Sequence, residues 1–253
     1  NTSYWTVMSY GNGMPEALDL PLGTPIPPIS TFDIAALQSL YGANDSTHSA
    51  STVWDTPSEI VAIWDGGGFD SIDFSSTSSA CLIDLRPALI DGSAESGGYK
   101  SYSPSGEFSG AYLISRGVEI ESAYGGSGND VLRGSALGNL IDGGDGNDVI
   151  ITGGGLDRVY GGDGIDTVVM DSTVNEIQSV SLARKWQYSD DGWSYIEGVE
   201  NVTTGAGTDI IQGSGDANVL DSGSGDDMLY AGGGDDTLVG GAGTDLLDGG
   251  DGN

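Results

Sequence analysis

Five consecutive nonapeptides at residues 125–169 decide the fold. They read GGSGNDVLR, GSALGNLID, GGDGNDVII, TGGGLDRVY and GGDGIDTVV. A second array starts at residue 204 with TGAGTDIIQ, GSGDANVLD, SGSGDDMLY, AGGGDDTLV and GGAGTDLLD, and GGDGN follows at 249–253. The eighth position is aliphatic in all ten full copies. The sixth position is Asp in eight copies and Asn in the other two, at Asn139 and Asn218.

This period predicts a parallel β-roll. Six residues of the form GGxGxD make a turn, because Gly tolerates the positive φ that such a turn requires. The remaining three residues form a short strand whose eighth position points inward. Two nonapeptides make one coil, so copies n and n+2 stack about 4.8 Å apart.

Stacking brings the sixth-position carboxylates of copies n and n+2 close together, and two such charges repel unless a cation lies between them. Turn carbonyls fill the remaining positions of an oxygen shell that suits Ca²⁺ rather than Zn²⁺. We expect several bound Ca²⁺ ions. The expected pairs are Asp130 with Asp148, Asp148 with Asp166, Asp209 with Asp227, Asp227 with Asp245 and, as weaker sites one charge short, Asn139 with Asp157 and Asn218 with Asp236.

Composition excludes several partners. The chain has 253 residues, 38 Asp plus Glu against 7 Lys plus Arg, and a net charge of −31. This charge excludes nucleic acid as a natural partner and disfavours an anionic membrane surface. No apolar run approaches 18 residues, so no membrane-spanning helix is expected. A hydrophobic content of 37% is too high for a disordered acidic tail. Cys81 is alone and is expected to be a small buried side chain.

The regions that precede the arrays also carry signals. VEIESAYGG at 118–126 aligns with GVENVTTG at 198–205, which indicates a partial duplication. Four short β-branched or aromatic segments are predicted to be strands of a sheet that caps the roll. They are STVWD (51–55), IVAIWD (60–65), ACLIDL (80–85) and AYLIS (111–115).

The N-terminal region differs from the rest. Residues 11–29 are rich in Pro and are predicted to form an extended loop. Residues 30–42 follow, with Ser30 as N-cap and Gly42 as the stop, and they predict the one short α-helix. The predicted fold class is therefore all-β, a two-array parallel β-roll with a capping β-sheet or sandwich and one short N-terminal α-helix. The predicted segments are 1–45, 46–124, 125–169, 170–203 and 204–253.

The order of these motifs resembles that of the serralysin-type zinc metalloproteases, which are metzincins with RTX repeats. SYWTVMSYG at 3–11 is similar to their Met-turn, and FDIAALQSLYGAN at 32–44 to the helix that closes their catalytic domain. WDGGGFD at 64–70 and GVEIESAYGGSGND at 117–130 resemble their calcium loop and the lead-in to their repeats. Segment 1–45 would then be the remnant of a metzincin protease domain.

The resemblance implies roles for particular residues. Met8 would lie beneath a catalytic zinc, and Tyr10 would stabilise the developing oxyanion. Asp65, Gly67, Gly68 and Asp70 would form a calcium loop. Glu121 would contribute to the next calcium site. Glu200 would have the same role, an inference that rests on the duplication alone. In each turn, backbone oxygens of the second and fourth positions would face the first and third positions of the stacked copy. The ligands implied along the arrays are Gly126, Gly128, Asp130, Gly143, Asp145, Asp148, Asp157, Gly161, Asp163, Asp166, Gly205, Gly207, Asp209, Asp227, Asp236 and Asp245.

One departure bears on activity. Serralysins need HExxHxxGxxH for zinc, whereas this sequence has a single His, His48, which is expected in a solvated loop. The chain alone should therefore be inactive, while its parent would be a zinc metalloendopeptidase that acts on protein or peptide substrates. The resemblance also implies a secreted, extracellular monomer exported by type I secretion from a Gram-negative bacterium.

Two other functions fit parts of the sequence less well. A non-enzymatic RTX module of an adhesin or surface protein remains the alternative, although such a protein has no use for a Met-turn. An RTX lipase is disfavoured because no GxSxG motif is present.

Overall fold

A computed structural model describes residues 50–58, 60–89, 100–107, 110–170, 178–189 and 192–252. The predicted Met-turn, the Pro-rich loop, the α-helix at 30–42 and His48 lie outside these residues. Within them the chain is all-β, with strands β1 to β21 numbered along the sequence and no helix. None of the described residues forms a long apolar helix of the kind that could cross a membrane.

The strands form three sheets. The eleven-stranded sheet contains, in spatial order, β1 (Val53–Trp54), β3 (Ser71–Asp73), β7 (Ser122–Tyr124), β9 (Leu140–Asp145), β11 (Arg158–Asp163), β15 (Gly192–Glu197), β14 (Trp186–Ser189), β13 (Ser179–Ser181), β17 (Ile210–Gln212), β19 (Met228–Tyr230) and β21 (Leu246–Asp248). The seven-stranded sheet contains β20 (Thr237–Val239), β18 (Val219–Asp221), β16 (Asn201–Thr203), β12 (Thr167–Val169), β10 (Val149–Ile151), β8 (Val131–Arg133) and β4 (Leu82–Asp84). The three-stranded sheet contains β2 (Ile60–Ile63), β6 (Ala111–Ile114) and β5 (Lys100–Ser101).

The stacking register confirms the predicted parallel roll. Val149 of β10 pairs with Val131 of β8 on one side and with Thr167 of β12 on the other, each 18 residues away. Successive nonapeptides alternate between the two large sheets, so two of them make one coil. The eighth-position side chains point into the space between the sheets and are almost completely buried, except in the last two copies, where Leu238 is partly buried and Leu247 is exposed. The buried side chains include Leu132, Ile141, Ile150, Val159, Val168, Ile211, Leu220 and Leu229.

The two arrays belong to one continuous roll. In the seven-stranded sheet, β12 of the first array pairs directly with β16, which pairs with β18 of the second. In the eleven-stranded sheet, a hairpin made of β14 and β15 fills the corresponding place between β11 and β13. The segment between the arrays therefore supplies coils of the roll itself.

The four segments predicted as cap strands have two different destinations. The strand in STVWD becomes β1 at the edge of the eleven-stranded sheet, and the strand in ACLIDL becomes β4 at the edge of the seven-stranded sheet. The strands of IVAIWD and AYLIS pair in parallel and form the three-stranded sheet with β5. β4 thus forms the first coil of the roll together with β3, and β1 extends the eleven-stranded sheet by one strand beyond it. The other two segments belong to the three-stranded sheet.

Candidate functional site

Sixth-position residues line the point where each turn enters a strand, and they form one row along each large sheet. In each row a carboxylate accepts a hydrogen bond from the backbone N–H of the sixth-position residue 18 positions earlier. Asp148 Oδ1 accepts from the N–H of Asp130 at 2.8 Å, and Asp166 Oδ1 accepts from that of Asp148 at 2.8 Å. The predicted Asp pairs are therefore stacked as expected. The other bonds of this type join Asn139 to Asp157, Asp209 to Asp227, Asn218 to Asp236 and Asp227 to Asp245.

In four of these Asp residues, the second carboxylate oxygen is fully buried and has no hydrogen-bond partner. This is the case for Oδ2 of Asp148, Asp166, Asp209 and Asp227, whose residues are at most 1% exposed. An unpaired buried polar atom costs about 1–3 kcal/mol, and more when it is charged. Six such carboxylate oxygens among the described residues would lower the stability of the fold considerably, so the arrangement favours a positively charged partner such as a metal cation. Oδ2 of Asp65 and of Asp236 is unpaired in the same way.

In the turns that begin with glycine, this first position leaves room beside the second carboxylate oxygen of the sixth-position Asp. A Cβ on Gly161 would lie 2.6 Å from Asp166 Oδ2, and a Cβ on Gly240 would lie 2.6 Å from Asp245 Oδ2. At Gly143 it would collide with Asp148 Oδ2 and would lie 2.5 Å from the carbonyl oxygen of Gly161 in the next coil. A methyl group would therefore fill the space at which a carboxylate oxygen and a stacked carbonyl oxygen converge.

Backbone carbonyls of the second and fourth positions face the copy stacked on them. Gly126 O accepts a hydrogen bond from Asp145 N–H at 2.9 Å, and Gly205 O accepts one from Ser224 N–H at 2.9 Å. A Cβ on Gly144 would meet Gly126 O, and one on Gly146 would meet Gly128 O. The second and fourth positions therefore oppose the second and fourth positions of the stacked copy, with the third position next to the second. Gly126 thus contacts Asp145, and the implied calcium ligands at Gly126, Gly128, Gly143 and Asp145 stay a prediction.

The implied calcium loop before the first array is partly assembled. Asp65 Oδ1 accepts from Gly67 N–H at 2.9 Å, and Gly67 and Gly68 have φ of 114° and 143°. Asp70 N–H donates to Glu121 Oε2 at 2.6 Å. Glu200 occupies the matching place later in the chain, since its Oε2 accepts from Asp166 N–H at 2.8 Å. The alignment of Glu121 with Glu200 therefore corresponds to equivalent positions in the roll.

Electrostatics makes the rows unfavourable without a cation. Burial, together with the neighbouring Asp130 and Asp166 charges, raises the pKa of Asp148 to about 7. Burial also raises the pKa of Asp130, Asp166 and Asp209 and that of Glu121. No positively charged side chain of the second array can compensate its carboxylates, because residues 204–253 contain no Lys or Arg.

The donor set fits Ca²⁺. Within the described ranges, no three His, Cys, Asp or Glu side chains are gathered into a cluster that could hold a metal. A cation between the turns would therefore take most of its ligands from backbone carbonyls and only one or two from carboxylates. A shell made entirely of such oxygens suits the hard, flexible coordination of Ca²⁺ and does not suit Zn²⁺.

The residues that precede the first Asp of each row were not predicted from the sequence. Cys81 occupies the sixth position of the first coil, where its N–H donates to Asp130 Oδ1 at 2.7 Å. The second oxygen of Asp130 accepts from Gly126 N–H at 2.6 Å, so both oxygens of this carboxylate are satisfied. Gln178 takes the corresponding place before Asp209. One signal was available for the first coil, since CLID at 81–84 matches NLID at 139–142.

Comparisons with known proteins agree with this geometry. The family model described as RTX calcium-binding nonapeptide repeat matches four segments, at residues 120–136, 134–168, 196–229 and 222–253. The chain is 41% identical over 124 residues to "Metalloprotease AprA" of Pseudomonas entomophila, an alignment that covers 43% of this chain and 23% of the relative. It is 40% identical over 125 residues to "Serralysin G" of Dickeya chrysanthemi, covering 44% and 24%. It is 36% identical over 124 residues to "Serralysin" of Photorhabdus luminescens, covering 43% and 23%. The chain thus spans less than a quarter of the length of these curated relatives.

Substituting Gly143 tests the space for a cation. In Gly143→Ala the new methyl group occupies the position at which Asp148 Oδ2 and Gly161 O converge, so the calcium concentration at half-maximal folding should rise about tenfold or more. Gly215→Ala is the matched control, because no atom lies within 4 Å of a Cβ at that position. Calcium titrations followed by circular dichroism give both midpoints. Equal midpoints for the two variants would contradict the assignment.

The raised pKa of Asp148 gives a pH dependence. Its folded value of about 7 exceeds the ordinary value of 3.8, so between these pH values the folded state holds a proton that the unfolded state has released. Raising the pH through this window therefore destabilises the metal-free fold. In chelator, we expect more β signal at pH 5 than at pH 7.5, and a smaller difference for Asp148→Asn. A β signal that increases with pH in the wild-type chain would refute this.

Proposed function

Since the chain carries a serralysin-type RTX region, we propose that it is the calcium-binding C-terminal roll of a secreted zinc metalloendopeptidase. The observation that carries the proposal is the pair of stacked rows in which buried carboxylate oxygens lack any partner. The roll would hold several Ca²⁺ ions, fold when they bind and support the protease part of the longer protein.

Calcium binding and folding would be one process. Without cations, the folded roll would carry unpaired buried oxygens and the repulsion of a chain with a net charge of −31. The unfolded chain has no site to offer, so calcium would bind the folded state alone and stabilise it by mass action. Extracellular calcium modules work at about 10⁻⁴–10⁻³ M, so the fold would form after export rather than before it.

The implied ligands would act through different atoms. Sixth-position residues such as Asp148 would bind through a carboxylate that is buried in the row. Third-position residues such as Asp163 would contribute backbone only, because Asp163 lies in β11 with its side chain exposed. The same division would apply along both arrays.

The enzymatic part of the proposal concerns residues outside the described ranges. Met8 and Tyr10 belong to the segment that resembles a Met-turn, and the relatives reported above include proteins named metalloprotease and serralysin. Zinc would supply the Lewis acid and the activated water for hydrolysis of protein substrates. Its His ligands would come from outside this sequence, because the chain contains His48 alone.

Exchanging Asp148 for Asn tests the calcium role. The wild-type chain should show weak β signal in chelator and a cooperative gain on addition of millimolar Ca²⁺. Asp148→Asn removes one buried charge and should shift the calcium midpoint upward about tenfold or more. Asp163→Asn is the control and should shift it less than about twofold, as is usual for an exposed surface substitution. Identical spectra of the wild-type chain with and without calcium would exclude the proposed function.

Activity assays test the enzymatic role. The isolated 253-residue chain should not cleave casein. In the longer protein that supplies HExxHxxGxxH, Tyr10→Phe should lower turnover by about ten- to a thousandfold with unchanged zinc content, as expected for the loss of one oxyanion donor. Zinc-dependent cleavage by the isolated chain, or unchanged turnover of the Tyr10 variant, would contradict these roles.

A further inference from the structure

Two turns of the roll contain Asn in place of the sixth-position Asp, and their amides are fully used. We infer that the uncharged and fully hydrogen-bonded amides of Asn139 and Asn218 remove the need for a cation, so that the turns at 134–139 and 213–218 fold without calcium. The inference rests on the proposed calcium role of the other turns. It replaces the expectation that these two turns are weak calcium sites.

The oxygen of each amide bonds within its own turn. Asn139 Oδ1 accepts from Ser135 N–H at 2.7 Å and from Ser135 Oγ at 3.3 Å. Asn218 Oδ1 accepts from Ser214 N–H at 2.7 Å and from Ser214 Oγ at 3.2 Å. Ser at the second position, where the other copies have Gly, therefore takes part in the same set of hydrogen bonds.

The nitrogen of each amide bonds to the preceding coil. Asn139 Nδ2 donates to the carbonyl oxygens of Ile120 at 3.3 Å and Glu121 at 3.4 Å. Asn218 Nδ2 donates to Glu200 O at 2.7 Å. The two Asn residues are at most 4% exposed, and neither has an unpaired side-chain atom. The amide oxygen faces the space beside the first-position Gly, since a Cβ on Gly134 would lie 2.9 Å from Asn139 Oδ1 and one on Gly213 would lie 2.6 Å from Asn218 Oδ1. Unlike the free carboxylate oxygen of Asp148, this oxygen is uncharged and already accepts hydrogen bonds.

The preceding coil explains why Asn is required. The residue 18 positions before each Asn is a Glu whose backbone N–H bonds to an Asp carbonyl, Glu121 to Asp70 at 3.1 Å and Glu200 to Asp166 at 3.2 Å. The N–H that an Asp would accept from is therefore already engaged, and the group of the Glu backbone that lies next to the Asn side chain is its carbonyl oxygen. A carboxylate at Asn139 or Asn218 would oppose that carbonyl oxygen, which repels it, whereas an amide N–H pairs with it.

The placement gives each array a calcium-independent beginning. Asn139 and Asn218 are in the second copy of their arrays, and each lies directly on the lead-in Glu. In the first array the uninterrupted row of Asp residues lies along the seven-stranded sheet, and Asn139 lies along the eleven-stranded sheet. In the second array the Asp row lies along the eleven-stranded sheet, and Asn218 lies along the seven-stranded sheet. Each array would thus begin on a coil with one metal-free turn, on which calcium-loaded coils are stacked.

Metal counting on Asn139→Asp and Asn218→Asp tests the inference. After equilibrium dialysis against 1 mM Ca²⁺, each variant should bind no more calcium per chain than wild type does, and its melting temperature in calcium should fall by several degrees. One additional calcium per chain with an unchanged or higher melting temperature would overturn the inference.

Two further variants keep the result decisive. If an Asp variant does not fold, Asn139→Ala should keep the wild-type calcium number with a lower melting temperature, and loss of one calcium in that variant would overturn the inference. Asp148→Asn is the opposite control and should lose about one calcium. Retention of every calcium in Asp148→Asn would refute the proposed function itself, which separates that failure from a failure of the Asn assignment.

Discussion

The hydrogen bond between a buried sixth-position carboxylate and the backbone N–H one coil earlier governs the whole structure. Because this bond uses one oxygen of the carboxylate, it fixes the register of the turns and leaves the other oxygen pointing into its own turn. The register in turn places the eighth-position side chains of the first eight copies between the two large sheets. The same side chain that aligns the coils therefore leaves a buried oxygen that a cation could pair, which is why the proposed function joins calcium binding to folding.

The regular part of the roll follows from its sequence, because period nine and the alternation of two sheets leave a single stacking distance of 18 residues. Val131, Val149 and Thr167 were placed on neighbouring strands by counting alone, and so were Asp130, Asp148 and Asp166. The role of Asn139 could not be obtained in this way. An Asn in place of an Asp looks like a site that lacks one charge, and only the carbonyl of Glu121 shows that a donor is needed there.

The irregular coils could not be predicted from the sequence, for a different reason. Cys81 is 49 residues from Asp130, Gln178 is 31 residues from Asp209 and Ser194 is 37 residues from Asp157, so no common period connects these contacts. The hairpin of β14 and β15 also reverses direction within a parallel sheet. The aromatic rings of this hairpin pack against one another and not into the interior of the roll. The ring centroids of Trp186 and Trp193, for example, are 4.9 Å apart. Only the tertiary structure shows that these segments complete coils.

The lead-in Glu residues connect these two kinds of coil. A Glu side chain is one methylene longer than Asp, so Glu121 and Glu200 reach the N–H of Asp70 and Asp166 from a backbone that itself bonds to the carbonyls of those residues. That double contact ties an irregular coil to a regular one and uses the Glu N–H, which in the regular coils donates to a sixth-position carboxylate. In both arrays the sixth-position side chain of the following coil is an Asn, whose amide donates to the Glu carbonyl instead. Glu followed after 18 residues by Asn is thus a coupled pair, which explains why the two arrays depart from the repeat at the same copy.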